Sequence, residues 1–180
     1  MKRVLLPFAA SACAALSAIC GAGHGICEPS KLIPALEELY DSDQESRVGL
    51  APPNDIWNRK RLDEIVAECG WPDSELVGQK AALGAFLVLQ HAPLDFQLRY
   101  ISLLNEAAER DRLVAGNLPL LEDRILVRKG LPQTYGTQFS NGCELYEIED
   151  PESVEARREN AGLPPLQDYV AYCFERRSSP

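Results

Sequence analysis

The chain has 180 residues, 46% of them hydrophobic, with 18 basic and 27 acidic side chains and a formal net charge of −9. An acidic surface repels phosphate backbones and anionic headgroups, which sets aside nucleic acid and anionic membrane surfaces as partners.

Lys2 and Arg3 precede an almost wholly apolar run from Val4 to Ile19, and small residues follow at Cys20-Gly21-Ala22-Gly23. Residues 1–25 therefore read as an export signal, cut after Ala22 or within the next three residues. A membrane anchor is the competing reading. The run is shorter than the ~20 residues of a spanning helix, and Pro7 and Ser11 interrupt it. Lipidation at Cys20 is disfavoured by the bulky Ile19 before it. Residues 26–180 are then one domain, secreted or periplasmic, with no second apolar segment for a bilayer. Loss of Lys2 and Arg3 leaves 16 basic residues against 27 acidic ones, a net −11.

Ser30 can cap a first helix running to Tyr40, with a continuation through Arg47 open; Pro34 sits where the first turn tolerates it. Gly49 to Asn54, with Pro52 and Pro53, is a loop. Asp55 or Asn58 opens a second helix, whose Leu62, Ile65, Val66 and Cys69 make an amphipathic stripe. Gly70 stops it before Trp71-Pro72, with Trp71 a packing residue in a tight turn. Val77 to Gln90 predicts a helix that is apolar all round, hence central and buried. Pro93 ends it. Asp95 to Arg112 predicts an amphipathic helix.

Asn117 then reads as a cap, Pro119 as an early helical residue and Gly130 as a stop. Ile125-Leu126-Val127 would also suit a strand. Gln133 to Phe139 reads as a strand, Asn141-Gly142 as its turn, and Glu144 to Ile148 as the returning strand. Asp150-Pro151 caps a helix to Asn160, and Leu166, Tyr169, Val170 and Cys173 mark the last one. The expected fold is mainly α with one small antiparallel β-hairpin, a bundle-like α+β domain.

Cys27, Cys69, Cys143 and Cys173 stay after export. Four cysteines in an exported chain fit two disulfides, with three possible pairings. Closeness of Cys27 and Cys173 to the two chain ends favours Cys27–Cys173 and Cys69–Cys143. Free buried thiols are the alternative, above all for Cys69 on its apolar stripe. No C-x-x-C spacing occurs and His24 and His91 are the only histidines, so neither a metal nor a cofactor is expected. No nucleophile elbow, P-loop or H-E-x-x-H motif is present.

The segment Gln133-Thr134-Tyr135-Gly136-Thr137-Gln138 groups five hydrogen-bonding side chains around one glycine. On a strand, Gln133, Tyr135 and Thr137 would share a face. A glycine inside a strand marks a bulge or a close approach. Asp123 and Arg124 lie upstream, and Gln90-His91 end the buried helix. Asp43-Gln44-x-x-Arg47, Asn58-x-x-Arg61-Leu62, Gly70-Trp71-Pro72, Gln90-His91-Ala92, Asp123-Arg124, Gln133-x-Tyr135-Gly136-Thr137-Gln138, Asp150-Pro151 and Arg157-Arg158-x-x-x-Gly162-Leu163 follow in order. This series resembles a bacterial family of domains of unknown function, over roughly Leu36 to Tyr169. Q-x-Y-G-T-Q together with Q-H-A is its specific part, and the four cysteines stand outside it. The resemblance implies a common fold and a common polar site, and no chemistry.

From the residues, His91, Asp123 and Tyr135 form a candidate acid–base set. Gln90, Arg124, Gln133, Thr137 and Gln138 are candidate ligand contacts, Arg124 as a bidentate fork for carboxylate or phosphate. Three functions fit. One is a pocket beside the hairpin for a small polar or anionic ligand. Another is a hydrolase or group transferase with His91 as general acid or base. The third is a protein-interaction module whose polar cluster is structural, since a histidine at a helix end and glutamines in a strand commonly just satisfy main chain.

Overall fold

The computed structural model describes residues 25–140 and 142–178. The segment read as an export signal lies outside them except for Gly25, as do His24 and Asn141. Eight α-helices follow one another: α1 Pro29–Arg47, α2 Asp55–Cys69, α3 Ser74–Val77, α4 Gln79–His91, α5 Leu94–Ala108, α6 Arg112–Arg128, α7 Val154–Asn160 and α8 Leu166–Ser178, with a 3₁₀ turn at Pro151–Ser153. Among the described residues no helix is long and apolar enough to cross a membrane.

The all-round apolar helix is the hub, as its sequence implies. α4 buries Ala81, Ala82, Ala85, Phe86, Val88 and Leu89 and touches α1, α2, α3, α5 and α6. Its closest neighbour is α1, which lays Leu32, Leu36 and Leu39 on it. Gly84 permits that approach: a Cβ there would collide with the Leu36 carbonyl oxygen and stand 3.0 Å from the Tyr40 nitrogen. α5 packs on α6 beside this pair.

Several boundaries differ from the sequence expectation. α1 is continuous to Arg47, with Pro29 rather than Ser30 at its entry. Gly78, at φ +83°, cuts Val77, the last residue of the short α3, from α4, so the expected Val77–Gln90 helix begins only at Gln79. α6 starts at Arg112, five residues before Asn117. Asp111 is its cap, accepting from Leu113 and Val114 while also holding the Ser74 nitrogen at 2.8 Å and the Ser74 hydroxyl at 2.7 Å. Four donors on one buried carboxylate outweigh the missing N–H of Pro119, which sits inside the helix and is buried.

The hairpin does not form. Between α6 and α7 the described residues contain two isolated bridges, Gln133 with Ile148 in parallel sense and Phe139 with Leu145 in antiparallel sense, and no strand. The fold is all-α. Ladder-like bonds survive only locally, such as Ser140 N–H to Glu144 O at 2.8 Å. The reason is competition for the backbone donors, which Asp123 takes.

The four cysteines among the described residues are bonded, as Cys27–Cys69 and Cys143–Cys173. The expected pairing of the chain ends is therefore wrong. Cys27 enters α1 beside the end of α2, and Cys143 in the loop meets α8, so each bridge joins local neighbours. Two disulfides point to an oxidising compartment.

Candidate functional site

Three consecutive charged residues of α6, Glu122, Asp123 and Arg124, leave the helix about 100° apart and enter three different surroundings.

Asp123 is fully buried. Its carboxylate accepts from the backbone nitrogens of Thr134 (2.7 Å), Tyr135 (3.0 Å) and Thr137 (2.9 Å), and from the Thr137 hydroxyl (2.9 Å). Gly136, at φ +74°, turns the chain so that these donors converge, and a Cβ there would stand 2.9 Å from a Leu166 methyl and 3.0 Å from an Ile148 methyl. Successive N–H groups around an anion make a nest; here the anion is the protein's own. Gln133, also fully buried, stands in for a neighbouring strand: Oε1 accepts from Gln138 N–H at 2.8 Å, and Nε2 donates to the carbonyls of Gln138 (3.1 Å) and Tyr146 (2.9 Å). Opposite, Arg157 donates to Thr134 O at 2.8 Å and Arg158 to Tyr135 O at 2.6 Å, the latter guanidinium lying over the Tyr169 ring. Asp123, Gln133 and Thr137 thus build the loop and have no donor or acceptor aimed at open space.

Arg124 faces the end of α4. Its Nε donates to Gln138 Oε1 at 3.0 Å and its Nη1 to Gln90 O at 3.1 Å. Gln138 Nε2 and Gln90 Nε2 both donate to Leu120 O. Arg128, one turn on, donates from Nη1 to Ala92 O. The two guanidiniums satisfy terminal carbonyls of α4, where the helix dipole also favours cations. Neither has a carboxylate partner among the described residues. Burial, then the neighbouring Arg128 and, after the opposing pull of Tyr169, Arg47 bring the Arg124 pKa down to about 10.

His91 pairs with Asp43, not with Asp123. Its Nδ1 lies 2.9 and 3.0 Å from the two Asp43 oxygens. Asp43 also receives Gln44 Nε2 at 3.0 Å and Arg47 Nη2 at 3.2 Å, and Arg47 continues to Asp55 at 2.8 Å. Burial would raise the Asp43 pKa, but His91 and then Arg47 outweigh it and the net shift is downward. The His91 side chain is 22% exposed against 1% for Asp43, and its Nε2 makes no hydrogen bond within the described residues. A narrow cleft lined by Asp43, Asp55, Asn58 and His91 adjoins the pair but has no room for a water molecule. Asn58 accepts from the Ser42 hydroxyl at 3.0 Å, and its buried Nδ2 has no partner.

The structure thus divides the predicted residues. Gln90, His91, Arg124 and Gln138 gather at the end of α4; Asp123, Gln133 and Thr137 belong to the loop; Tyr135 lies elsewhere, lining with Glu122 a groove between α5 and α6. Sequence reasoning placed Asp43 and Asn58 in the motif series but did not count them among the site residues. Both carried a signal: each occupies the next position of an apolar stripe, Leu32-Leu36-Leu39-Asp43 and Asn58-Leu62-Ile65. Among the described residues no cluster of His, Cys, Asp or Glu suits a metal ion.

A family model described as a family of unknown function, DUF6624, matches residues 41–176. No curated protein and no solved structure matches the chain.

Proposed function

The chain belongs to the family of unknown function DUF6624, and from its geometry we propose that it binds a small anionic ligand, a phosphate or carboxylate, at the end of α4 beside the Gln133–Gln138 loop. The observation that carries the reading is Arg124. A largely buried guanidinium with like charges for neighbours is costly unless something anionic completes it. Carbonyl bonds account for its Nε and Nη1 edges and leave Nη2 unbonded. Gln138 orients it, and Arg128 and Arg47 add positive potential. The leader-like first 25 residues and the two disulfides support an exported protein.

The test is calorimetric titration of inorganic phosphate and acetate into the wild type, Arg124→Lys and Arg124→Gln. Wild-type binding is expected to weaken at least tenfold in Arg124→Gln and by an intermediate factor in Arg124→Lys, which keeps charge but loses the planar fork. Equal affinities in all three proteins, or none in the wild type, would remove the proposal.

A second reading has its own observation. Asp43 fixes the His91 ring by Nδ1 and leaves Nε2 outward, the orientation of a general base held by a carboxylate. On this reading the site hydrolyses or transfers a group of the bound anion. With p-nitrophenyl phosphate as probe, His91→Gln should keep phosphate affinity and lose turnover; turnover equal to the wild type would exclude it.

A further inference from the structure

The end of α4 draws side-chain donors onto its carbonyls. Gln97 of α5, fully buried, gives its Nε2 to Leu89 O at 3.2 Å and to Gln90 O at 2.9 Å. Arg124 Nη1 adds a second bond to Gln90 O, and Arg128 Nη1 holds Ala92 O. Gln90 turns its own side chain to α6, where Nε2 donates to Leu120 O at 3.3 Å. Leu120 lies one turn before Arg124, so the Gln90 amide runs along the side of α6 that carries the guanidinium.

Two kinds of group are left over. Arg124 Nη2 is a donor with no acceptor among the described residues. Gln90 Oε1 is an acceptor with no donor among them, on a residue only 4% exposed. Gln97 Oε1, on the neighbouring helix, is buried and unpartnered as well. The nearest donors are engaged elsewhere: Gln138 Nε2 bonds Leu120 O and the Thr137 hydroxyl, and Arg124 Nε bonds Gln138 Oε1. A buried acceptor without a donor is destabilising, so a proton for Gln90 Oε1 has to arrive with whatever Arg124 binds.

We infer that Gln90 selects among anions at this site, and that the ligand is hydrogenphosphate, with one oxygen accepting from Arg124 Nη2 and its own O–H donating to Gln90 Oε1. The inference rests on the anion site proposed above and narrows its ligand class. An amide oxygen accepts and cannot donate. Sulfate and carboxylates carry no proton at neutral pH, so either one would set acceptor against acceptor in a dehydrated site. Phosphate keeps an O–H at neutral pH and satisfies both leftover groups at once. A site built to bond a substrate hydroxyl rejects the analogue that lacks it. Sulfate has the same tetrahedral shape, so the proton alone separates the two.

The experiment titrates inorganic phosphate and sulfate, at neutral pH and matched ionic strength, into the folded, disulfide-intact wild type and into Gln90→Leu, read by calorimetry. The wild type should bind phosphate at least tenfold more tightly than sulfate. Gln90→Leu removes the acceptor while Gln138 still serves Leu120 O, and it should bind the two anions alike. Equal wild-type affinities, the result if a water molecule occupies Gln90 Oε1, would overturn the inference and leave the Arg124 reading intact. A phosphate preference that survives in Gln90→Leu would overturn it too. If neither anion binds the wild type, the Arg124 reading falls and this inference with it. Where Gln90→Leu fails to fold, Gln90→Met, unbranched like glutamine, is judged by the same criteria.

Discussion

Asp43 and His91 are 48 residues apart in the chain and 2.9 Å apart across the α1–α4 interface. The pair exists because two helices place a carboxylate and an imidazole at the same level of one packed seam. Its acid partner has a folded-state pKa below the ordinary carboxylate value, as does Asp111 at the start of α6, where donors from Ser74, Leu113 and Val114 outweigh the cost of burial. A depressed pKa contributes stability that is present above the unfolded value of about 3.9 and is lost as pH falls through the folded value. Urea midpoints measured from pH 7 to pH 2 should therefore fall steeply below about pH 4. Asp43→Asn should be less stable at pH 7 by roughly 1.5–3 kcal/mol and show a shallower acid limb. An acid limb identical to the wild type would show that Asp43 is not the coupled group.

The Asp123 nest makes a sharper prediction. Asp123→Asn replaces an acceptor by a group carrying two donors, facing three N–H groups and a hydroxyl. Orphaning even two buried donors costs on the order of 3 kcal/mol. Hydrogen exchange at Thr134, Tyr135 and Thr137 should accelerate far more than at the α4 amides. Uniform acceleration across the chain would show instead that the loop has no cooperativity of its own.

Gly84 sets the distance between α1 and α4. Alanine is the better helix former by about 1 kcal/mol, so in an open helix Gly84→Ala would stabilise. Here the added methyl meets the Leu36 carbonyl oxygen and the Tyr40 backbone. Overpacking should dominate, with a net loss of roughly 2–3 kcal/mol in denaturant unfolding. A gain in stability would mean that the helices are not in backbone contact.

Peptide mapping without reduction should recover Cys27 linked to Cys69 and Cys143 linked to Cys173; recovery of Cys27 with Cys173 would contradict the topology. The bridges enclose 42 and 30 residues of separation, and chain-entropy loss in the unfolded state gives each a contribution of about 3.5–4 kcal/mol. Reduction should lower Tm clearly, and the Cys143→Ser/Cys173→Ser double variant should account for only part of that drop.

Much of the helical frame was legible in the residues. Leu62, Ile65, Val66 and Cys69 announced α2, the charge-free run from Ala81 to Leu89 announced a buried α4, and Gly70 and Gly130 marked real stops, both at positive φ. The Gln133–Gln138 segment misled because its polar pattern suits a strand equally well. What it lacks is a partner strand, because an aspartate ten residues upstream takes the same N–H groups. The disulfide pairing failed for a related reason: proximity to the chain ends was a poor guide, and the meeting of the α2 end with the α1 entry was not visible in a linear reading.

Local order in this protein follows from side-chain periodicity and backbone preference, both of which are properties of short stretches. The division of Glu122, Asp123 and Arg124 among a groove, a loop and a helix end was decided only by tertiary packing. A helix rotates successive side chains by about 100°, and what each then meets depends on which distant segment has been packed on that side.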